Sequence, residues 1–219
     1  MENQKVLILN FGGQYDQLIA RRVRECRVYC EVRPYTMTIE EIQEFHPIGI
    51  IFTGGPDSVY KEDSYHPAEG IFELGIPILG ICYGCQLLAC HLGGLVVAAK
   101  EENVREYGKT LTFYDTLNPL FHGLAEEGIS WMSHGDYMEK IPDGFRVTAH
   151  SKRCPNVAIC DEKRKFYGVQ FHPEVNHTEN GTAMIRNFLY RICGAAGDWT
   201  MEDYMHRSIE EIRRKVGSG

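Results

Sequence analysis

The first half of the chain alternates short apolar runs with segments that have helical periodicity. Four of the runs have the length of a strand, and runs this rich in apolar residues are typical of strands buried on both faces of a sheet. They are KVLILN at 5–10, VYCEVRP at 28–34, GIIFTGG at 49–55 and IPILGI at 76–81. Pro34 is expected to end the second strand, because proline cannot donate a ladder hydrogen bond.

Helical segments are predicted between and after these strands. Leu18, Ile19 and Val23 are spaced to share one face of the first helix. Thr38 and Glu41 form a capping-box pattern at the start of the second. Alternation of apolar strands with helices predicts a central, mostly parallel sheet with helices on both faces. The predicted helical ranges are 17–26, 38–45, 64–74 and 86–90.

Beyond Gly94 the pattern changes to strand-like segments in quick succession, with turn residues between them. This spacing predicts additional strands, partly antiparallel, that complete the sheet. A helix at 179–193 is expected to pack back on it. The chain is therefore assigned to the α/β class. The strand-like segments lie at 95–99, 109–115, 129–134, 145–151, 156–161 and 165–171.

The last segment is expected to lie outside the main domain. We predict one domain at 1–196, followed by an amphipathic helix at 197–219 that Asp198 or Thr200 would cap. Its apolar residues recur at threes and fours and need a partner surface, which is either this domain itself or a second one. They are Met201, Met205, Ile209, Ile212 and Val216.

Composition restricts the classes of function. A net charge of −7 argues against a dedicated nucleic-acid surface. The eight cysteines are scattered along 219 residues, which favours free thiols in a reducing compartment over a disulfide scaffold. The N-terminus lacks a secretory pattern, and no apolar run approaches the ~20 residues of a membrane span. We expect a cytoplasmic protein that binds neither membrane nor nucleic acid.

The stretch GICYGCQ at 80–86 carries the first candidate chemistry. A strand that runs into Gly-x-Cys-x-Gly and then a helix is the nucleophile-elbow pattern, with sulfur in place of oxygen. The turn is so tight that Gly80 and Gly84 must be small. Cys82 would lie at the N-terminus of the helix, where the helix dipole stabilises a thiolate.

Other interpretations of these cysteines stay open at this stage. Cys82 and Cys85 also have the C-x-x-C spacing of a thiol–disulfide pair. A zinc site would need a second pair, and Cys154 and Cys160 are spaced too loosely for one, so no metal site is expected. Cys82 could also be a small buried residue without a chemical role.

A cysteine nucleophile needs a base, and GVQFHPE at 168–174 offers one. An apolar strand is predicted to end at His172, and residues two apart in an extended segment point the same way. Glu174 could therefore orient His172 while the imidazole takes the thiol proton. Gly12 and Gly13, after the first strand, are interpreted only as a tight turn.

Three segments together resemble the class I glutamine amidotransferases. They are FTGGPDSV at 52–59, GICYGCQ at 80–86 and GVQFHPEV at 168–175. The resemblance implies the flavodoxin-like fold of that family and a triad of Cys82, His172 and Glu174 that hydrolyses L-glutamine through a glutamyl thioester. It also implies an oxyanion hole from the backbone N–H groups of Gly55 and Tyr83.

The resemblance extends to the glutamine pocket. Four residues would hold the amino-acid end of the substrate, and they are Gln86, Ser133, Gly135 and Asp136. Further segments resemble the branch of the family that aminates xanthosine monophosphate. These are NFGGQYDQLIARRVRE at 10–25, WMSHGD at 131–136 and DWTME at 198–202, although Asn10 stands where that branch usually has an acidic residue.

That branch implies a partner and places the cofactors outside this chain. An ATP-pyrophosphatase synthetase domain would adenylate the nucleotide and accept the ammonia, and ATP and Mg²⁺ would bind there. No Ser-Gly-Gly-x-Asp-Ser loop occurs in the sequence. We therefore expect the glutaminase half alone, either shortened or a natural subunit, without a cofactor of its own.

Alternative functions are glutaminase modules that serve anthranilate, aminodeoxychorismate or carbamoyl phosphate synthesis. From other classes, a redox or regulatory module that uses Cys82 and Cys85, or a purely structural partner protein, also remain. An intact set of Cys82, His172 and Glu174 argues against a scaffold, which needs none of them.

Overall fold

The structure is a computed structural model, which describes residues 4–99 and 105–217. The last two residues of the predicted tail lie outside the described residues. The strands are β1 Lys5–Asn10, β2 Tyr29–Pro34, β3 Pro47–Phe52, β4 Ile78–Ile81, β5 Leu95–Ala98, β6 Glu106–Tyr114, β7 Glu127–His134, β8 Asp136–Lys140, β9 Arg146–Ser151, β10 Ala158–Asp161 and β11 Phe166–Val169. The helices are α1 Asp16–Glu25, α2 Ile39–Phe45, α3 Tyr83–His91, α4 Gly181–Asn187 and α5 Met201–Val216.

Nine strands form one sheet in the order β2-β1-β3-β4-β11-β10-β9-β6-β7. The first five strands in this order are parallel. The remaining pairings are antiparallel, and β5 and β8 form a separate antiparallel pair. The predicted α/β fold, with a mostly parallel half and antiparallel strands from the second half of the chain, is confirmed.

The strands of the parallel half are apolar because both of their faces are covered. In β1, Val6 and Ile8 pack into a cluster with residues of α1 and α4. Leu7 and Leu9 point to the other face and pack with residues of α2 and α3. Successive residues of β1 therefore point into opposite cores, as strand geometry requires.

Local signals placed α2 correctly. The backbone N–H of Glu41 donates to the Thr38 side chain, and the Glu41 carboxylate accepts from the Thr38 N–H at 2.8 Å. The predicted capping box is confirmed. These two bonds satisfy N–H groups that the first turn of a helix leaves without partners.

The helix predicted at 64–74 is wrong. Only a single 3₁₀ turn at Ile71–Glu73 forms there. Pro67 disfavours a helical conformation at the residue before it. Gly70, with a φ of 89°, then breaks any continuous helix. The predicted helix at 179–193 is α4 followed by a π-helical turn at Phe188–Ile192.

The sequence patterns missed strand β8, which begins at Asp136. Ser133 and His134 end β7, Gly135 forms the tight connection, and Asp136 begins β8. Alternation at 136–140 is obscured by Asp136, Glu139 and Lys140, so the segment lacks the apolar pattern of a strand. The segment forms a strand because it pairs with β5.

The N-terminal end of the final helix, α5, packs against the first residue of β2. Tyr204 stacks on Tyr29 with ring centroids 5.6 Å apart, and the Trp199 ring lies 6.0 Å from that of Tyr29. The predicted apolar stripe beyond this contact is exposed, to 60% at Ile212 and 74% at Val216. The domain boundary at 196/197 stays a prediction. Within the described ranges, no helix is long and apolar enough to cross a membrane.

The β4–α3 connection depends on two glycines. A Cβ atom on Gly80 would lie 2.5 Å from the carbonyl oxygen of Gly84, and one on Gly84 would lie 2.5 Å from that of Phe52. These neighbours are backbone atoms that cannot move aside cheaply. The predicted need for small residues on both sides of Cys82 is confirmed by these distances.

We expect Gly84→Ala to lower the free energy of unfolding by about 2 kcal/mol or more, because the methyl group must displace the β3 backbone. Urea unfolding followed by circular dichroism would measure the change. Gly128→Ala is the matched control, since the three atoms nearest its new methyl group are side-chain atoms of Glu179 and Tyr114, at 3.3 Å or more. Equal stability of the two variants would contradict the packing argument.

Candidate active site

The site lies where the connections of the parallel sheet diverge. From β1 the chain passes to β2 on one side, and β3 lies on the other side. Ligand sites in such sheets form at the carboxyl ends of the strands that flank this switch point. Gly13 and Gly54 follow β1 and β3 and are in contact there, because a Cβ on Gly13 would lie 2.5 Å from the Gly54 carbonyl oxygen.

Cys82 follows the neighbouring strand β4 and has a strained backbone. Its φ of 54° and ψ of −108° lie in a region that non-glycine residues rarely adopt. Two backbone hydrogen bonds hold this conformation, from Cys82 N to Val169 O at 2.8 Å and from Gly84 N to Thr53 O at 3.1 Å. The nucleophile-elbow geometry is therefore present, with the thiol at the start of α3.

His172 and Glu174 form the predicted pair, with His172 Nδ1 2.7 Å from Glu174 Oε1. The strand does not end at His172, as predicted, but at Val169. The irregular segment after it is held by hydrogen bonds from His172 N to Trp131 O and from Thr178 Oγ1 to His172 O, at 3.0 and 2.6 Å. Both side chains are buried.

The electrostatic environment favours a protonated His172. Burial by itself lowers the pKa of His172, but hydrogen bonds with Cys82 and Glu174 and the charges of these partners outweigh it and raise that pKa to about 10. Cys82 and His172 both lie against Gly54, whose Cβ would approach the imidazole at 3.4 Å and the Cys82 Cβ at 3.8 Å. A larger residue at this position would press on both groups.

Of the residues predicted for the oxyanion hole, Gly55 lies on the loop after β3 and Tyr83 begins α3, directly after Cys82. Within the described residues, neither Gly55 nor Tyr83 donates a backbone hydrogen bond. Gly55 lies close to Tyr83, because a Cβ on Gly55 would be 2.9 Å from the aromatic ring. Tyr83 is the first residue of α3, so its N–H is one of the donors that a helix start leaves free.

Two cavities meet at Cys82. One, of about 390 Å³, is lined by all four residues predicted to hold glutamine, Gln86, Ser133, Gly135 and Asp136. The other, of about 290 Å³, lies on the side of His172 and Glu174. The structure therefore gathers residues from α3 and the β7–β8 connection on one side of the thiol and the histidine–glutamate pair on the other.

Sequence reasoning missed Tyr15, which lines the smaller cavity with Gly12 and Gly13. The Tyr15 ring meets the His172 imidazole edge-on, with centroids 5.4 Å apart. The glycine pair after β1 was interpreted only as a turn. Its position at the end of a strand next to the switch point was the signal that could have placed it at the site.

Gln170 was also missed, although it lies inside the GVQFHPE motif. Its amide nitrogen is 3.8 Å from Cys82 Sγ, and its amide oxygen accepts from Gln86 Nε2 at 3.0 Å. Gln86 Nε2 also donates to the Asp136 carbonyl oxygen at 3.0 Å. This network links the nucleophile to the far wall of the larger cavity.

The environment of Cys85 differs from that of Cys82. Burial raises the pKa of the Cys85 thiol well above its usual range. The Cys85 sulfur packs against Gly168 and Met138 in the opposite core, whereas Cys82 faces the cavities. All eight cysteines are free thiols. Among the described residues, no group of three or more potential ligands could hold a metal ion.

Comparisons with known proteins agree with this geometry. A family model described as glutamine amidotransferase class I matches residues 7–192. A glutamine-hydrolyzing GMP synthase from Clostridium botulinum is 54% identical over 100% of this chain and 42% of its own length. One from Listeria monocytogenes is 51% identical over 99% of this chain and 41% of its own length. The chain thus spans about two fifths of these curated relatives.

Solved structures give the same result. One is a Thermoplasma acidophilum protein, whose crystal structure is described as that of a GMP synthase subunit. It is 30% identical to this chain with a TM-score of 0.77, and the match covers 96% of this chain and 99% of that one. A glutamine amidotransferase from Thermotoga maritima, 20% identical with a TM-score of 0.66 over 89% of this chain and 100% of that one, supports the fold. The elbow cysteine, the sheet order and these matches lead to one conclusion: the chain belongs to the class I glutamine amidotransferase family.

Proposed function

We propose that this chain hydrolyses L-glutamine at Cys82 and supplies the ammonia for the synthesis of GMP. The observation that carries the proposal is the strained thiol at the start of α3, next to a buried histidine whose other partner is a carboxylate. Family membership supports the reaction, and the names of the relatives support the product.

The first half of the reaction forms a thioester. The Cys82 thiol proton passes to His172, and the sulfur attacks the side-chain amide carbon of glutamine. The oxygen of the tetrahedral intermediate takes the negative charge, which the N–H groups of Gly55 and Tyr83 would stabilise. One such donor is typically worth about 10²–10³ in rate. The carbon–nitrogen bond then breaks, His172 protonates the departing amine, and ammonia leaves.

The second half releases glutamate. His172, now neutral, takes a proton from water as the water oxygen attacks the thioester carbon. The carbon–sulfur bond breaks, and the sulfur leaves with the two electrons of that bond, next to the imidazolium. Throughout the reaction, Glu174 keeps the imidazole in one orientation and stabilises its charged form, as the third member of a catalytic triad does.

The two cavities divide the substrate between them. The larger cavity would take the amino-acid end of glutamine, because Gln86, Ser133, Gly135 and Asp136 surround it with polar groups. The departing nitrogen must face His172 to receive its proton. Ammonia would therefore emerge on the side of the smaller cavity, where His172 lies.

The acceptor is proposed from the relatives, whose remaining length this chain does not cover. A synthetase region with an ATP-pyrophosphatase domain would adenylate xanthosine monophosphate with ATP and Mg²⁺ and receive the ammonia. No cofactor is assigned to the present chain. The exposed apolar residues of α5 would serve as linker or docking surface to that region.

We expect 6-diazo-5-oxo-norleucine to label Cys82 selectively and glutamine to block the labelling, because both would occupy the same pocket and only Cys82 faces it. Peptide mass spectrometry after digestion would locate the adduct. Cys82→Ala should lose the adduct and all glutamine hydrolysis while it keeps its circular dichroism spectrum. Hydrolysis retained in Cys82→Ala would contradict the assignment of the nucleophile. Cys85→Ala is the control for the second thiol of the motif.

The raised pKa of His172 predicts a pH-dependent contribution to stability. A group whose pKa is higher in the folded state stabilises the fold fully below its unfolded value, about 6.5, and this contribution is lost as the pH rises through its folded value, about 10. The stability difference between the wild type and His172→Gln should therefore shrink from pH 6.5 to pH 10. Urea unfolding across this range would test it, and a difference that stays constant would contradict it.

The proposed acceptor can be tested by reconstitution. The chain is mixed with the purified synthetase region of a matching GMP synthase, xanthosine monophosphate, ATP, Mg²⁺ and glutamine. We expect GMP to form, because the ammonia is released next to its acceptor. The Cys82→Ala mixture should make GMP only from added ammonium chloride. If glutamine is hydrolysed but no GMP forms, and chorismate is aminated when an anthranilate synthase partner is added instead, the chain serves a different branch of the family.

A further inference from the structure

A second buried histidine–glutamate pair lies at the wall of the larger cavity, which His134 itself lines. Glu106 and His134 face each other directly across the β6–β7 ladder. Their side chains are each 2% exposed, and His134 Nε2 lies 3.7 Å from Glu106 Oε2. The mechanism proposed above uses neither residue.

The hydrogen bonds around the pair fix where its protons are. His134 Nδ1 lies 3.0 Å from the Asp136 carbonyl oxygen, which can only accept, so Nδ1 carries a proton. Ser151 Oγ accepts from the N–H groups of Arg153 and Cys154, and it donates its proton to Glu106 Oε1 at 2.6 Å. These bonds use His134 Nδ1 and Glu106 Oε1, so His134 Nε2 and Glu106 Oε2 remain and face each other.

Those two atoms, His134 Nε2 and Glu106 Oε2, are buried, and neither has a hydrogen-bond partner among the described residues. Without a proton between them, two lone pairs would face each other and an uncompensated carboxylate would be buried, which is strongly unfavourable. A proton on either of the two atoms would remove both of these costs and make their 3.7 Å contact favourable. The pair is then neutral as a unit and attractive.

The pair is directly connected to the proposed glutamine pocket. The Asp136 carbonyl oxygen accepts from both His134 Nδ1 and Gln86 Nε2. Gln86 in turn bonds Gln170, whose amide nitrogen lies near Cys82 Sγ. A continuous set of contacts thus runs from Glu106 through His134 to the pocket wall and the nucleophile.

The remaining side-chain contacts of this wall leave the Asp136 carbonyl held by His134 and Gln86. Gly135 O accepts from Ala99 N at 2.9 Å, and the Asp136 carboxylate accepts from Tyr60 OH at 3.2 Å. Both bonds lie on the outer side of the connection, toward β5 and the 56–63 loop. Only His134 and Gln86, among the side chains that the structure describes, hold the carbonyl that faces the interior.

We propose that Glu106 is a positioning residue for glutamine: through a proton shared with His134, it fixes the Ser133–Asp136 wall of the pocket. This rests on the proposed glutaminase function. Glu106 touches no substrate itself. It acts by holding the imidazole at the orientation that bonds the Asp136 carbonyl, so its loss should weaken glutamine binding more than it slows the chemical step.

Two conservative variants separate the hydrogen bond from the charge. Glu106→Gln keeps the length of the side chain, and its amide can donate to a neutral His134 Nε2 while its oxygen still accepts from Ser151. Glu106→Asp keeps the charge but is one methylene too short to reach His134. We expect the glutamine affinity of Glu106→Gln to stay within about threefold of the wild type, and that of Glu106→Asp to fall about tenfold, because the shorter side chain leaves the buried His134 Nε2 without a partner.

Occupancy of the site is measured as the glutamine concentration that half-protects Cys82 from iodoacetamide, read by peptide mass spectrometry. Steady-state glutamine hydrolysis then gives KM and kcat, and the change should fall on KM. Asn118→Ala, which removes another fully buried polar side chain away from both cavities, is the matched control for lost stability and should leave the half-protecting concentration unchanged.

Two outcomes would overturn the proposal. In one, Glu106→Asp binds glutamine like the wild type, so the bridge to His134 has no part in the pocket. In the other, Glu106→Gln is the weaker variant, so the charge matters and the shared proton does not. Failure of glutamine to protect wild-type Cys82 at all would instead refute the glutaminase function itself, which keeps the two claims separate.

Discussion

The close approach of β4, α3 and β3 at Gly80 and Gly84 is the constraint on which the rest of the site depends. It allows the chain to turn from strand to helix within a few residues, and it forces Cys82 into a strained backbone conformation. The strain is sustained by hydrogen bonds to β11 and to the loop after β3. As a result, the thiol lies at a helix start beside the backbone N–H groups that are proposed to stabilise a developing oxyanion.

The sheet topology brings the other groups to this thiol. Because β1 and β3 flank the switch point and β4 and β11 are adjacent, the loops after all four strands meet at one edge. Gly12 and Gly13 come from the first loop, Gly55 from the second, and His172 from the segment after β11. The antiparallel half contributes differently: its β7–β8 connection lines the larger cavity, where glutamine is proposed to bind.

Two buried histidine–glutamate pairs perform different tasks in this arrangement. His172 and Glu174 touch the nucleophile and are proposed to move protons. His134 lies in the wall of the larger cavity with Glu106 next to it, and this pair is proposed to hold a backbone carbonyl in place. Both pairs are shielded from water, where a hydrogen bond is stronger and an unpaired polar group is costly. Gln86 and Gln170 join the two halves, so the wall and the thiol are one hydrogen-bonded unit.

The sequence by itself determined the apolar strands, the capping box of α2 and the elbow, and it predicted the roles of Cys82, His172 and Glu174. These follow from local rules, because strand burial, helix capping and a tight turn leave residue patterns within a few positions. The tertiary structure decided what depends on residues far apart. Gln86 and Gln170 are 84 positions apart, β8 is a strand only because β5 pairs with it, and Glu106 meets His134 only through the β6–β7 register. No local pattern encodes such contacts, since they arise when the sheet closes and brings the ends of distant strands together.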